Sequence, residues 1–433
     1  MSVVVVIDPG HGGENSGGNT EEFIEKDLTI KVANYMRERL QQYEGVEVYL
    51  THEDSTSPDL GRDERAEIAK AHNADFMFSI HFNMSADHTL YGSEVWTSAY
   101  GEYYKVGQEF ANIEMEALTG LGFFDRGVKT RLGKDGDDYY GAILQPKKLG
   151  IPAVIIEHCH MDEDRDADYL RSHGEEAYRT FGYLDADCVA KYFHLKSSTL
   201  GVDYTNYSYP TVPLPTTVMG PDLTPADEVT VEMVEPDTGD GTAKIKITAK
   251  DAESKMLYYR LSYDGGTTFG KVWPWNEDKE ALKPTDSDSI TVDVDLAEKE
   301  PRDLVVKVYN RLDRKADSNV LTLPAKAEKK AEETELSEEE SINTDEAGST
   351  EMTDVSFETT DTADINADTH AGRADAAEAY TEVDVTLPEN KKSDSGVLIF
   401  VIAGSIMILA VGILGYFVYM TGQRKRRRRK RRK

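Results

Sequence analysis

Four residues stand where chemistry can be done. His11 follows a short apolar run in IDPGHGG, Glu25 opens EKDLTIKVANYM, His81 lies near the end of FMFSIHFN, and Glu157 ends PAVIIE. In the first motif Asp8 and Pro9 end strand pairing and the glycines let the backbone turn sharply, which leaves His11 at the carboxyl edge of a sheet, where sites tend to form. Two imidazoles and one carboxylate, each at the end of an element, make the donor set of a catalytic zinc whose fourth position is left for water. Singly they say little, because a histidine after a strand is commonly capped or solvent-facing and a glutamate at a helix start favours the macrodipole. Glu157 says more: a charge ending an apolar strand costs several kcal/mol unless it is partnered, which points to a site role rather than packing.

The elements that must carry these residues read as an α/β domain over residues 1–195, a mixed sheet flanked by helices. Strands are expected at Val3–Ile7, Val46–Leu50, Phe76–Ile80, Gly92–Thr97 and Ala153–Ile156. Helices are expected after Glu25, with Leu28, Val32, Met36 and Leu40 on one face, and at Arg62–His72, Tyr103–Leu118 and Glu175–Phe193. Residues 196–227 shift to Pro, Thr, Tyr and Ser and fit neither periodicity, so they read as an extended linker. Residues 228–324 hold six strand-like runs (VTVEMV, AKIKITA, MLYYRLSY, SITVDVDL, LVVKVYN and NVLTL) parted by turn signals such as GDG and DGG. That spacing suggests a β-sandwich, similar by pattern to fibronectin type III or immunoglobulin-like modules.

Beyond the sandwich the composition changes again. Residues 325–396 are acidic and poor in aromatics, which predicts a disordered tether. Val397–Met420 carries no charge and at ~1.5 Å per residue reaches ~36 Å, long enough to cross the ~30 Å hydrocarbon core as a transmembrane helix. The tail 421–433 ends in ten basic residues, RKRRRRKRRK, against Lys391 and Lys392 on the other flank. The positive-inside rule then puts the tail in the cytoplasm, against anionic lipid headgroups, and the domains before the span outside the cell. Such a topology needs an export signal, yet MSVVVVIDPG has no basic leader and reads as a first strand, so a segment upstream of Met1 is expected.

Charge excludes one class of partner. The 433 residues hold 49 Lys+Arg against 80 Asp+Glu, a net charge of −31, and with the ten tail cations set aside the rest carries −41. An acidic body of that kind does not displace counterions from a phosphate backbone, so nucleic-acid binding is not expected. Cys159 and Cys188 allow one bridge at most.

Taken together, residues 1–195 resemble the zinc-dependent N-acetylmuramoyl-L-alanine amidases of the amidase type 3 family. The resemblance is carried by DPGHGG, the EK that opens a helix, the stretch Arg65–Ala69 before NADFMFSIHFN, the GSE strand at Gly92, DRGVK at Asp125–Lys129, and PAVIIE. It implies zinc on His11, Glu25 and His81, Glu157 as the catalytic carboxylate, and cleavage of the amide between the lactyl group of N-acetylmuramic acid and L-alanine in peptidoglycan. This chain departs from the family at His158, Cys159 and His160, where a small and apolar sequence is usual, at His52 in place of Arg, and at Lys70 in place of Asn. The first three are candidates to hold a second metal or tune the first, but by strand alternation His158 and His160 turn away from Glu157, which favours a place behind the ligands or at the surface.

Other residues have two readings each. Arg126, Lys129 and Arg131 are candidates to meet stem-peptide carboxylates, or else form a solvated basic loop. Tyr139, Tyr140 and Gln145 are candidates to line a groove. Trp273, Pro274 and Trp275 either stack on sugar or fill the sandwich core. The function expected is a membrane-anchored peptidoglycan hydrolase of a Gram-positive-type envelope. The alternatives are a surface protein that binds the wall without cutting it, and a zinc peptidase acting on stem peptides, for which no HExxH is present.

Overall fold

The computed structural model describes residues 2–237 and 239–326. The first domain runs β1 (Val3–Pro9), α1 (Glu25–Leu40), β2 (Val46–Leu50), α2 (Arg62–Ala71), β3 (Phe76–Asn83), β4 (Ser93–Thr97), α3 (Gly101–Gly120), β5 (Asp125–Lys129), α4 (Gly141–Lys148), β6 (Ala153–His160), α5 (Asp164–His173) and α6 (Glu175–Tyr192). Its six strands lie in the order β2-β1-β3-β6-β4-β5. All pairs are parallel except β4 with β6, so the sheet is mixed.

The central strands are buried on both faces, and for that reason they read as continuous apolar runs: Val5, Val6, Ile7, Phe78 and Ile80 are fully enclosed. Helix α1 buries Leu28, Val32, Met36 and Leu40, the stripe its spacing predicts. At its start Ile24 offers no side-chain cap. The carbonyls of Gly18, Ser16 and Ile24 instead accept from Glu25, Lys26 and Asp27 N–H, which ties the glycine loop to the first turn.

Three elements go beyond the sequence reading. β5 and α4 lie in a stretch to which the sequence reading assigns no element, and α5 begins within the acidic run DEDRDAD, where Glu163 caps it by accepting from Arg165 N–H at 2.8 Å. β6 also continues past Ile156, so that Glu157 through His160 belong to the strand.

The expected linker is attached rather than free. Lys196–Ser197 (β7) and Val202–Asp203 (β8) pair as a short hairpin, Tyr204, Tyr207 and Tyr209 pack on the first core, and Glu109 accepts from Val212 N–H at 2.9 Å.

The second domain comprises β9 (Glu228–Glu235), β10 (Thr242–Lys250), β11 (Met256–Ser262), β12 (Trp273–Pro274), β13 (Ser289–Asp295), β14 (Arg302–Asn310), β15 (Lys315–Asp317) and β16 (Leu321–Leu323). One sheet is β13-β10-β9 and the other β12-β11-β14-β15, with β16 also on β14. Ile245, Ile247, Tyr259, Val292 and Val306 fill the space between them. Trp275 joins that core and donates its indole N–H to Ser287 O at 2.9 Å, which settles it as packing; Trp273 is half-buried between Lys271 and Lys279.

The tether from residue 327, the span Val397–Met420 and the basic tail lie outside the described residues. Among the described residues no helix is long and apolar enough to cross a membrane.

Candidate metal centre

His11 lies two residues past the end of β1, after Gly10, with a backbone φ of 66°, a left-handed conformation uncommon for any residue but glycine. Several contacts hold it there. Arg65 on α2 donates to His11 O at 2.6 Å, Pro9 O at 2.7 Å and Asp8 Oδ1 at 2.7 Å. Asp8 also accepts from Thr51 and Ser79, so β1, the residue just past β2, β3 and α2 meet at one carboxylate. Burial alone would raise the Asp8 carboxyl, but Arg65, Thr51 and Ser79 together hold it below the ordinary range.

The imidazole orientation is fixed as well. Asn15 Oδ1 accepts from Gly17 N–H at 3.1 Å, so this oxygen also serves as the acceptor for His11 Nδ1–H at 3.1 Å, and Nε2 is left to face Glu25 Oε2 at 3.0 Å. The other Glu25 oxygen lies 2.9 Å from His81 Nδ1. Backbone N–H groups of Gly18 and Phe82 donate to Glu25 at 2.7 and 3.2 Å and hold the carboxylate in place.

Glycines make room for this grouping. A Cβ on Gly10 would stand 2.4 Å from the His81 ring, and one on Gly17 would stand 2.4 Å from Glu25 Oε2. Burial lowers and Glu25 raises the His11 pKa, the net change being upward, while Glu25 is held far below its usual range by the two histidines against the effect of burial. Donor atoms of His11, Glu25 and His81 lie within 4.8 Å of one another, the group among the described residues that fits a metal ion. Two nitrogens and one carboxylate oxygen match zinc.

Glu157 sits beside this grouping through strand register. His81 on β3 pairs with Glu157 on β6, and Glu157 pairs with Glu94 on β4. Directly paired residues share a sheet face, so His81, Glu157 and Glu94 form one row across three strands. Glu157 Oε2 is buried with no hydrogen-bond partner. Burial first, then the negative charges of Glu25 and Glu94, push its carboxyl well above the ordinary range, which makes the carboxylate a stronger base.

The sequence reading named four residues, and the fold brings all four together. It missed Glu94, which is buried and accepts from Arg126 Nε and Lys129 Nζ at 2.6 Å each, Trp96 Nε1 at 3.0 Å and Asn83 Nδ2 at 2.9 Å. Arg126 and Lys129 are therefore neither a solvated loop nor open to a stem peptide: both are enclosed against Glu94. Arg131 stacks 3.6 Å from the Tyr139 ring and reaches the Tyr140 hydroxyl at 3.5 Å. The Tyr140 ring packs against Trp96, two residues along β4 from Glu94, and burial raises its hydroxyl while Arg131 pulls the other way. Gln145 lies half-buried on α4.

His158 and His160 are buried, which excludes the surface half of their expected placement. His158 stands behind a ligand, with Nδ1 3.1 Å from His81 O and Nε2 3.1 Å from the Asp185 carboxylate. His160 Nδ1 faces Gly92 O at 3.0 Å. Cys159 and Cys188 are buried free thiols with no bridge between them. His52 is buried against Thr51, and Lys70 donates to Leu149 O at 3.2 Å.

Comparison with known proteins points to one family. The Amidase_3 family, described as N-acetylmuramoyl-L-alanine amidase, matches residues 5–179, a stretch that contains His11, Glu25, His81 and Glu157 and ends before the sandwich. The N-acetylmuramoyl-L-alanine amidase CwlM of Bacillus licheniformis is 28% identical over 176 residues, covering 39% of this chain and 61% of its own length. The uncharacterized protein YqiI of Bacillus subtilis (strain 168) is 30% identical over 175 residues, covering 40% of this chain and 77% of its own. The solved catalytic domain of CwlV, an N-acetylmuramoyl-L-alanine amidase from Bacillus (Paenibacillus) polymyxa var. colistinus, is 27% identical with a TM-score of 0.37, covering 44% of this chain and 98% of that one.

Proposed function

The chain belongs to the amidase type 3 family of N-acetylmuramoyl-L-alanine amidases, and from that premise we propose that it hydrolyses the amide between N-acetylmuramic acid and L-alanine in peptidoglycan. The observation that carries the proposal is the row that sets an unpartnered, buried Glu157 oxygen beside the convergent His11, Glu25 and His81 donors. His11, Glu25 and His81 would hold a zinc ion, which would supply Lewis acidity for activating water and polarising a carbonyl.

The rest is done by the chain itself. Glu157 takes a proton from the water as it attacks the lactyl carbonyl carbon, then returns that proton to the alanine nitrogen, which cannot leave as an amide anion. Glu157 Oε2 has no other hydrogen-bond partner, which leaves it free to make both transfers. Asn15 and the glycine loop hold His11 and Glu25 in their orientation before substrate arrives, so little reorganisation is left for the reaction itself.

We also place both folded domains outside the cell, carried on the acidic tether and the span Val397–Met420 with the basic tail on cytoplasmic lipid headgroups; this rests on hydropathy and charge alone. External protease treatment of intact cells that spares the catalytic domain would count against that placement.

The activity is tested by digesting purified sacculi and separating the products. Free lactyl ends with new alanine amines are expected, and a chelator is expected to abolish them. New amines from within the stem peptide would indicate a peptidase, and binding without products would indicate a wall-binding protein.

A further inference from the structure

One turn of the sandwich reaches into the catalytic domain. It joins β14 to β15, and buried Asn310 braces it by accepting from Leu312 and Arg314 N–H at 3.0 Å each while donating to Asp222 at 2.7 Å. Within it Asp313 has a φ of 59°, a conformation that costs a non-glycine residue energy and persists only where its surroundings impose it. All three side chains between Asn310 and Arg314 serve the first domain. Arg311 lies over Gly127, where a Cβ would come within 2.5 Å of its Nη2; Leu312 is buried with Trp96, Ile143 and Ile155; Asp313 Oδ2 accepts from Arg126 Nη2 at 2.8 Å.

Arg126 is the link. Its side chain is 2% exposed, so its donors must find partners inside the protein. Nε serves Glu94 at 2.6 Å, Nη2 serves Asp313, and Nη1 serves the Tyr258 hydroxyl at 3.1 Å, which donates in turn to Tyr91 O. Two of its three partners therefore belong to the sandwich. Glu94 and Asp313 balance Arg126 and Lys129, four buried charges that sum to zero. Without Asp313 two cations would face one carboxylate in a dry place, and Arg126 would have reason to leave Glu94.

We propose that the β-sandwich is a working part of the hydrolase rather than a separate module, with Asp313 as a positioning residue that fixes Arg126 on Glu94 and so keeps Glu94 in place beside Glu157. The proposal rests on the peptidoglycan reading of the site. Asp313 touches neither the metal ligands nor Glu157, so its effect must pass through Arg126 and Glu94.

The test uses the full chain with Asp313→Asn, Asp313→Glu and Tyr258→Phe, assayed on soluble glycan-peptide fragments. Asp313→Asn is expected to lower kcat at least tenfold with KM within twofold and metal content unchanged. Asp313→Glu is expected to recover at least a third of the wild-type rate, and Tyr258→Phe to lose about threefold. Lys283→Gln, which removes an exposed contact with Asp125 at the same boundary, is the control and is expected to stay within twofold. A wild-type kcat in Asp313→Asn, with only its melting temperature lowered, would overturn the proposal. If that variant does not fold, a wild-type kcat in Tyr258→Phe overturns it instead. Should the wild-type chain release no lactyl ends, the functional reading fails by itself. The link is then read from a stability cycle with Glu94→Gln, where coupling of at least tenfold in the unfolding equilibrium supports it and additivity rejects it.

Discussion

Arg65 donates through Nη2 to the backbone carbonyl of His11 at 2.6 Å, so a side chain on α2 fixes the backbone of the first imidazole ligand. The same guanidinium reaches Pro9 O, Asp8 Oδ1 and, through Nε, Leu60 O at 3.0 Å. Four acceptors on one planar fork hold the left-handed turn at His11 that brings its Nε2 to Glu25 Oε2. The metal grouping thus depends on a residue that offers it no ligand atom.

Lysine cannot reproduce this fork, because an ammonium is a single point of charge with its donors on one atom. Arg65→Lys is expected to cost about 3 kcal/mol of stability through the poorly paired, buried Asp8. Metal affinity is expected to fall by about tenfold as His11 loses its backbone support. Urea unfolding and competitive zinc titration measure the two effects separately, and an unchanged zinc affinity would show that the loop holds its shape without Arg65.

His11→Ala and Glu157→Gln are expected to part company. The first removes a donor and loses the metal; the second keeps all three donors, retains the metal at wild-type stoichiometry, and lowers turnover by about 100-fold or more through loss of the proton carrier. Metal analysis of both purified variants alongside turnover decides it. Full activity in Glu157→Gln would remove the assigned role.

Much of this was legible in the sequence where one rule governs each position. The α1 stripe and the apolar central strands are periodic patterns; such patterns locate the ends where His11 and Glu25 lie and the strands that carry His81 and Glu157, although β3 and β6 run on past both residues. Glu94 was not legible as a site residue, since all five residues of β4 are buried and the alternation that would mark a polar face is gone. Nor were the roles of Arg126 and Asp313, which are 187 residues apart and meet only because two domains pack together. Local spacing carries no information about such a pair.

Gly17 is a position where a methyl group is expected to be felt at the metal. Its φ is +67°, and a Cβ would stand 2.4 Å from Glu25 Oε2 and 2.5 Å from His11 Cδ2. Gly17→Ala is expected to weaken zinc binding at least tenfold beyond a backbone cost of about 1–2 kcal/mol. Gly150 separates the two effects, having a φ of +84° but nothing within 4 Å of its would-be Cβ. Gly150→Ala should therefore show the backbone cost with unchanged zinc affinity, and equal zinc affinity in both variants would deny the steric role of Gly17.

Asp166 links stability to pH in the direction opposite to most carboxylates. Burial pushes its carboxyl up from 3.8 to about 7, although the N–H groups of His160 and Gly92 pull the other way at 2.9 and 2.6 Å. Between those two values the folded chain holds a proton that the unfolded chain has released, so the contribution of Asp166 is fully present below 3.8 and is lost as pH rises through about 7. The slope is about 1.4 kcal/mol per pH unit inside that window and zero above it. Glu94 behaves in the usual way: Arg126 and Lys129 hold it low despite burial, so its contribution is present above the ordinary carboxylate range and lost only on strong acidification. A comparison between about pH 5 and 8 therefore isolates Asp166 from Glu94. Asp166→Asn keeps an oxygen able to accept from Gly92 and His160 but does not titrate. Its stability relative to wild type is expected to climb as pH rises from 5 toward 7 and to level off by about 8. Unfolding curves that stay parallel across that range would mean that Asp166 is ionised in the folded protein and that its two backbone donors outweigh burial.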